Sequence, residues 1–305
     1  MLILALAAAL LAEPTSTPVT LPFEPAPLHG TMLTPDGETR AVAVIIAGSG
    51  PTDRDGNSPM GVTASTYRLL AEGLAERGIA TVRYDKRGIA QSAAAATAEA
   101  DLRFDHMAED ARGWARLATE TTGRPCAWLV GHSEGALVAQ VAANGTDGIC
   151  GLVLLSGAGR PAGTVIREQL ATIPEPLKTQ AFEALNELEA GRTTEGPPAL
   201  AALFRPSVQP YLISWLPLDP AALLADYDGP VLIGQGATDI QTGTADAQAL
   251  ATAQPNARLV TWDGVNHILK IAPVDRAANI ATYGDAALPL APGVVDSVAD
   301  FILEP

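Results

Sequence analysis

The pentapeptide Gly131-His132-Ser133-Glu134-Gly135 places a serine where it could act as a nucleophile. The apolar residues before it predict a short strand, and the apolar residues after it predict a helix. Because glycine has no Cβ atom, Gly131 and Gly135 allow the strand and the helix to pass close together around a strained serine. A serine at such a junction also lies at a helix N-terminus, where backbone N–H groups lack intrahelical partners. The pattern therefore predicts an accessible, reactive hydroxyl at Ser133.

A serine nucleophile needs a base to accept its proton and a carboxylate to orient that base. His267 lies in the loop directly after the last predicted strand, and Asp239 lies in the loop after the strand before it. The sequence therefore predicts a triad of Ser133, His267 and Asp239. The other three histidines do not follow a carboxylate that ends a strand and are predicted to be structural: His29, His106 and His132.

Three other acidic residues compete with Asp239 for the role of the acid. Asp263 adjoins Gly264 and is predicted to be a turn residue. Asp228 precedes a strand and would lie at the wrong end of the sheet, and Asp246 is predicted to lie on the solvated surface of a helix. Asp239 is therefore the predicted acid.

The tetrahedral intermediate of acyl transfer also requires two backbone N–H donors. The amide of Glu134 directly follows the nucleophile, and the glycine-rich loop after the strand Ala41–Ala47 would supply the second donor. Ser49 is the predicted donor in that loop, with Gly50 as the alternative. A phosphate-binding loop is disfavoured, because neither a Gly-Lys-Ser/Thr ending nor G-x-G-x-x-G spacing occurs there.

Charged residues continue this loop and occupy the next turn of the chain. Asp53, Arg54 and Asp55 are expected to brace the loop through side-chain hydrogen bonds, and contact with substrate is the alternative. Asp85 and Arg87 are expected to stabilise the turn after the following strand in the same way.

Strand and helix patterns alternate along most of residues 13–305, which predicts one α/β domain with a mainly parallel, doubly wound sheet. A segment at about 160–227 interrupts the alternation with helical patterns and prolines. It is predicted to form a helical cap over the carboxyl ends of the strands, where ligands bind in open α/β sheets. The alternative is a peripheral helical layer that does not contact substrate. The sequence also does not decide whether the larger apolar residues of this segment line a substrate pocket or fill the core of the cap: Phe204, Tyr211, Trp215 and Leu216.

The charge balance limits the classes of partner. The 305-residue chain carries 19 Lys and Arg against 34 Asp and Glu, a formal net charge of −15. Binding to nucleic acid or to an anionic membrane needs clustered basic residues, and the sequence has no basic run. The expected partner is therefore a small molecule, and the oligomeric state is not predicted.

Two features bear on the cellular compartment. Residues 1–12 form an uncharged apolar run that is too short to span a bilayer but suits the core of a signal peptide, although a basic start is missing. Export to the periplasm or medium is expected, with the cytoplasm as the alternative. Cys126 and Cys150 open two successive strands, so they could form a disulfide or remain two buried thiols.

Taken together, these motifs resemble α/β-hydrolases, and more narrowly bacterial carboxylesterases of the EstD type. The order serine, acid, histidine is the one found in that fold. The resemblance runs from about residue 28 to the end of the chain, apart from an alanine-rich stretch at 93–100, and rests on these motifs: Gly48 to Asn57, Tyr84-Asp85-Lys86-Arg87-Gly88, Gly131 to Gly135, Gly236 to Gln241, and Asn266 to Lys270.

The resemblance implies a serine esterase of small acyl esters that uses no cofactor and no metal. An aminopeptidase-like or acyl-thioesterase activity could use the same triad. A scaffold without catalysis, used only for binding, is a further alternative that the three predicted triad residues disfavour.

Overall fold

The computed structural model describes residues 13–305, and the predicted leader at residues 1–12 lies outside them. Its sheet has eight strands: β1 (Thr15–Leu21), β2 (Leu28–Thr34), β3 (Ala41–Ile46), β4 (Ile79–Tyr84), β5 (Ala127–His132), β6 (Ile149–Leu155), β7 (Val231–Gly236) and β8 (Arg258–Trp262). Their order is β1-β2-β4-β3-β5-β6-β7-β8. The strands β1, β2 and β4 pair antiparallel, and the remaining pairs are parallel. The predicted mainly parallel α/β sheet is therefore confirmed.

Eleven α-helices follow in the described chain: α1 (Thr66–Glu76), α2 (Phe104–Thr122), α3 (Glu134–Ala143), α4 (Ala162–Leu170), α5 (Leu177–Glu189), α6 (Ala201–Phe204), α7 (Gln209–Trp215), α8 (Pro220–Ala225), α9 (Thr244–Ala253), α10 (Arg276–Ala281) and α11 (Val294–Leu303). The helices α4 to α8 all lie between β6 and β7, in the segment where the sequence departs from alternation. We call these five the inserted helices.

Both faces of the sheet are covered, because successive side chains of a strand point to opposite faces. In β3, Val42, Val44 and Ile46 belong to the core under α2 and α3, whereas Ala43 and Ile45 belong to the core under α1 and α11. The inserted helices have a smaller core of their own around Leu185, Phe204 and Leu216. Because both faces of the sheet are buried, strands such as Ala41–Ile46 are apolar at every position.

The sequence did not predict the edge strand β1. Its residues lie in a proline-rich segment, yet they pair with β2 from Thr15↔Thr34 to Leu21↔Leu28. Pro18 is tolerated because an edge strand can turn a position without an N–H group away from its neighbour. The alanine-rich stretch forms two short 3₁₀ helices, Ala90–Ala95 and Glu99–Asp101.

Cys126 and Cys150 are joined as a disulfide, with their Cα atoms 5.2 Å apart. The bridge links the amino ends of β5 and β6, so it lies at the end of the sheet opposite to Ser133. Among residues 13–305, no helix combines the length and the apolar character needed to cross a bilayer.

Candidate active site

Ser133 lies at the sharp turn between β5 and α3. Its backbone has φ 56° and ψ −122°, an unfavourable conformation for a residue with a Cβ atom. The turn requires glycine on both sides, since a Cβ atom on Gly131 would lie 2.2 Å from the Gly135 carbonyl oxygen, and one on Gly135 would lie 2.3 Å from that of Ile46. The Ser133 N–H donates to the Leu155 carbonyl at 2.9 Å, which fixes the turn to β6.

Asp239 and His267 meet beside this turn. Nδ1 of His267 lies 2.8 Å from Oδ2 of Asp239, and both side chains are buried. Asp239 also accepts hydrogen bonds from the backbone N–H groups of Gln241 and Thr242 and from the side chains of Thr242 and Gln235. Burial would raise the pKa of Asp239, but His267 and these N–H donors hold that pKa below its usual value. The carboxylate therefore stays ionised and oriented towards the imidazole.

Ser133 and His267 line the same groove. Within residues 13–305 no hydrogen bond joins the serine hydroxyl to the imidazole, whereas the bond between His267 and Asp239 is formed. A catalytic hydrogen bond of this kind is often long without substrate and shortens in the complex. The structure thus brings all three predicted triad residues to one end of the sheet.

Both predicted oxyanion donors are free. In the described chain, neither the Ser49 N–H nor the Glu134 N–H has an acceptor, although both residues line a cavity with Ser133. The Ser49 loop is braced by Lys86, whose ammonium donates to the carbonyls of Gly48 and, at 2.8 Å, of Gly50. These bonds fix the carbonyls on both sides of Ser49 and so restrain the backbone that carries its N–H.

A chain of buried hydrogen bonds links this loop to the His267 loop. The Gly48 N–H donates to the Tyr67 hydroxyl at 2.9 Å, and that hydroxyl lies 2.9 Å from Nδ1 of His132. On the other side of the ring, Nε2 of His132 lies 2.7 Å from the His267 carbonyl, so Nε2 carries the proton that it donates. Burial and the neighbouring His267 lower the pKa of His132 to about 3. His132 is therefore neutral, and its two bonds connect the Gly48 and His267 backbones.

Sequence reasoning missed the residues that support the predicted triad. Tyr67 lies in α1, far along the chain from His132, and Gln235 is one of several polar residues before Asp239, so neither has a local signal. Lys86 did have one, because it is the central residue of the Tyr84–Gly88 motif that precedes α2.

The charged residues of the loop brace it, as expected. Asp53 accepts from the N–H groups of Asp55 and Asn57, Arg54 forms a buried ion pair with Asp85 at 2.5 Å, and Asp55 pairs with Arg83 at 2.8 Å. Arg87 pairs in the same way with Asp110 at 2.7 Å.

The expectation for Asp246 was wrong. Its side chain is fully buried rather than solvated, and it pairs with Arg160 at 2.9 Å. Both of its oxygens also accept backbone N–H groups, from Gly159 and Gly243. The residue therefore anchors the start of the inserted helices to the start of α9, and it is not part of the triad.

Two cavities meet at Ser133. The first, which we call the chamber, has a volume of about 170 Å³ and is walled by α3 and by inserted-helix residues such as Ile166 and Trp215. The second, which we call the groove, has a volume of about 460 Å³ and contains His267, Met60 and Tyr283. Within the described chain, no cluster of His, Cys, Asp and Glu could hold a metal ion.

The family model described as "Serine aminopeptidase, S33" matches residues 59–263, which is more than half of the chain. The chain belongs to this family of α/β-hydrolases. The matched residues of the S33 family include Ser133 and Asp239 and end just before the His267 loop. Family and fold make the protein an enzyme of the hydrolase class.

Solved structures with this fold include esterases and a peptidase. Est1E from Butyrivibrio proteoclasticus, solved with ferulic acid, is 19% identical with a TM-score of 0.57, over 94% of this chain and 98% of that one. The Pyrococcus furiosus esterase Pf2001 is 17% identical with a TM-score of 0.56, over 83% and 82%. Proline iminopeptidase from Mycobacterium smegmatis is 16% identical with a TM-score of 0.53, over 83% and 92%. None of the curated protein sequences compared with the chain matches it.

Proposed function

We propose that the protein hydrolyses carboxylic esters of small acids through an acyl-enzyme on Ser133. The observation that carries this proposal is the buried His267–Asp239 pair beside a serine on a strained turn, together with the unbonded N–H groups of two residues that line a cavity with that serine. These are the groups that acyl transfer needs.

In the proposed mechanism, the Ser133 hydroxyl attacks the ester carbonyl while Nε2 of His267 takes its proton. Asp239 holds the imidazole through Nδ1 and stabilises its positive charge. The Ser49 and Glu134 N–H groups bind the oxyanion, each contributing about 2.7–4 kcal/mol to transition-state stabilisation. His267 then protonates the departing alcohol, and water hydrolyses the acyl-enzyme by the same steps in reverse order.

An aminopeptidase-like activity is the second candidate, because the Glu134 side chain also lines the chamber. One of its carboxylate oxygens accepts from the Tyr211 hydroxyl at 2.6 Å, and the other could bind a substrate ammonium. A long-chain thioesterase is disfavoured, since a chamber of about 170 Å³ leaves little room for a long acyl group.

The test is hydrolysis by the wild type and by Ser133→Ala of p-nitrophenyl butyrate, an aminoacyl p-nitroanilide and a butyryl thioester. We expect the wild type to favour the ester and the variant to lose that activity while its circular dichroism spectrum is unchanged. A fluorophosphonate probe should label the wild type only. Retained turnover by Ser133→Ala would remove the nucleophile assignment, and preference for the anilide would favour the peptidase.

We further propose that the inserted helices act as a cap over the site and that the protein is exported. The lining of the chamber by these helices supports the first proposal. The disulfide supports the second, because such bonds persist mainly in oxidising compartments. Mass determination of the secreted fraction, with and without reduction, tests both cleavage of the leader and the bond.

A further inference from the structure

The chamber and the groove share the reacting serine but differ in one group. Ser49 and Ser133 line both cavities, so a carbonyl attacked by Ser133 would lie where they join. His267 lines the groove and not the chamber. The proton donor for the leaving group is therefore on one side of the carbonyl only.

This asymmetry fixes the direction of a bound ester. In the step that breaks the C–O bond, His267 transfers its proton to the alcohol oxygen, so that oxygen must lie within hydrogen-bond reach of the imidazole. The acyl group remains bonded to Ser133 and extends to the other side. We propose that the groove receives the alcohol and the chamber receives the acyl group, an inference that rests on the proposed esterase activity.

The two cavities differ in the size of group that they accept. The chamber, at about 170 Å³, has little more than a third of the volume of the groove. Leu137, Val165, Ile166 and Trp215 wall it, so further carbons would meet side chains. The groove has a volume of about 460 Å³, and at its edge Met60 is 79% exposed. The acid is therefore restricted in length, whereas the alcohol can extend outwards.

The charges around the chamber restrict the acid further. Arg160 lines it, but this guanidinium is already bonded to the carboxylates of Asp246 and Glu168, and Glu134 adds a third carboxylate. The local balance is negative, so an acyl group with a second carboxylate would be repelled. The substrate class is an ester of a short, uncharged acid with a larger apolar alcohol.

Two isomeric esters test the orientation at equal composition: decyl acetate carries its long chain on the alcohol, and ethyl decanoate carries it on the acid. We expect kcat/KM for decyl acetate to exceed that for ethyl decanoate by at least about tenfold. Equal values, or a preference for ethyl decanoate, would overturn the proposal. Methyl hydrogen succinate should be a poorer substrate than methyl butyrate.

Trp215→Ala tests whether the inserted helices limit the length of the acyl group that the chamber accepts. Enlarging the chamber should raise the ratio of ethyl decanoate to decyl acetate turnover about tenfold. Leu203→Ala is the matched control, because Leu203 packs in the same inserted helices and does not line the chamber. An unchanged ratio in a folded Trp215→Ala variant would contradict the assignment of the chamber.

Failure of this inference can be told apart from failure of the proposed function. If the wild type cleaves p-nitrophenyl butyrate but prefers ethyl decanoate, the esterase stands and the orientation is wrong. If it cleaves no ester while an aminoacyl anilide is hydrolysed, both are wrong.

Discussion

The loops that carry the triad and the inserted helices are held in opposite ways. Asp239 accepts hydrogen bonds from Gln235, Gln241, Thr242 and His267, and His132 is bonded on both sides of its ring. The inserted helices contact the rest of the chain mainly through apolar packing, as Leu224 does in the main core, with ion pairs and hydrogen bonds at their edges, such as Tyr211 to Glu134 at 2.6 Å. The reacting groups are thus held by several convergent hydrogen bonds, whereas the wall that faces the substrate is held largely by non-directional apolar packing.

The difference indicates which region tolerates change. A proton transfer requires fixed geometry, and a misplacement of about 1 Å can cost on the order of 10²-fold in rate. A substrate wall requires only a shape, which a small shift alters gradually. We therefore expect substitutions in the loops to reduce kcat and those in the inserted helices to change selectivity.

Asp239→Asn should have the largest effect. An amide in place of the carboxylate would favour the wrong tautomer of His267 and would not stabilise the imidazolium, so we expect kcat to fall about 10⁴-fold. Hydrolysis of p-nitrophenyl butyrate measures it. Asp263→Asn is the control, since Asp263 is exposed and lies near His267 in sequence only. A greater loss from the Asp263 variant would reverse the assignment of the acid.

Tyr67→Phe should have the next largest effect. It removes the acceptor of the Gly48 N–H and the donor to His132, and a buried unpaired group costs about 1–3 kcal/mol. We expect kcat to fall by about 5- to 150-fold with little change in KM, because the oxyanion donors act mainly in the transition state. Tyr84→Phe is the control, a buried tyrosine that stacks on Trp114. A normal kcat in Tyr67→Phe would show that the Ser49 loop does not depend on the hydrogen bonds of the Tyr67 hydroxyl.

Tyr211→Phe should have a smaller effect of a different kind. Loss of the bond to Glu134 loosens the inserted helices from the turn at Ser133. We therefore expect the ratio of kcat/KM for esters of short acids to that for esters of longer acids to fall, while kcat for acetate esters changes about threefold or less. Tyr227→Phe, in the same segment, serves as the comparison. A loss of kcat as great as that in Tyr67→Phe would abolish the distinction between the two regions.

The imidazole of His132 should not change its protonation state between about pH 5 and about pH 8. Its pKa of about 3 lies below the ordinary 6.5, so only the unfolded chain binds a proton here between those values. The stability that His132 provides is therefore complete above about pH 6.5 and decreases as the pH falls towards 3. The imidazole resonances of His132 should stay constant between about pH 5 and about pH 8. A midpoint within that range would contradict its neutral bracing role.

The sequence predicted the alternation of strands and helices because buried parallel strands are continuously apolar and amphipathic helices repeat their apolar residues about every 3.6 positions. It also placed Ser133, Asp239 and His267 correctly in loops at the carboxyl ends of β5, β7 and β8. It missed β1, since an edge strand with prolines lacks the apolar pattern of a buried one. It misjudged Asp246, because the ion pair that pays for its burial involves Arg160, which is distant in the chain.

The sequence by itself determined the order of strands and helices, the strained serine turn and the identity of the residues that could act with it. These follow from local spacing, backbone sterics and side-chain chemistry. Only the tertiary structure decided that Tyr67 and His132 connect the two catalytic loops, that Lys86 braces the Ser49 loop, and that His267 lies in the groove and not in the chamber. Those relations join residues far apart in the chain, and no local pattern records a contact that exists only after the sheet has formed.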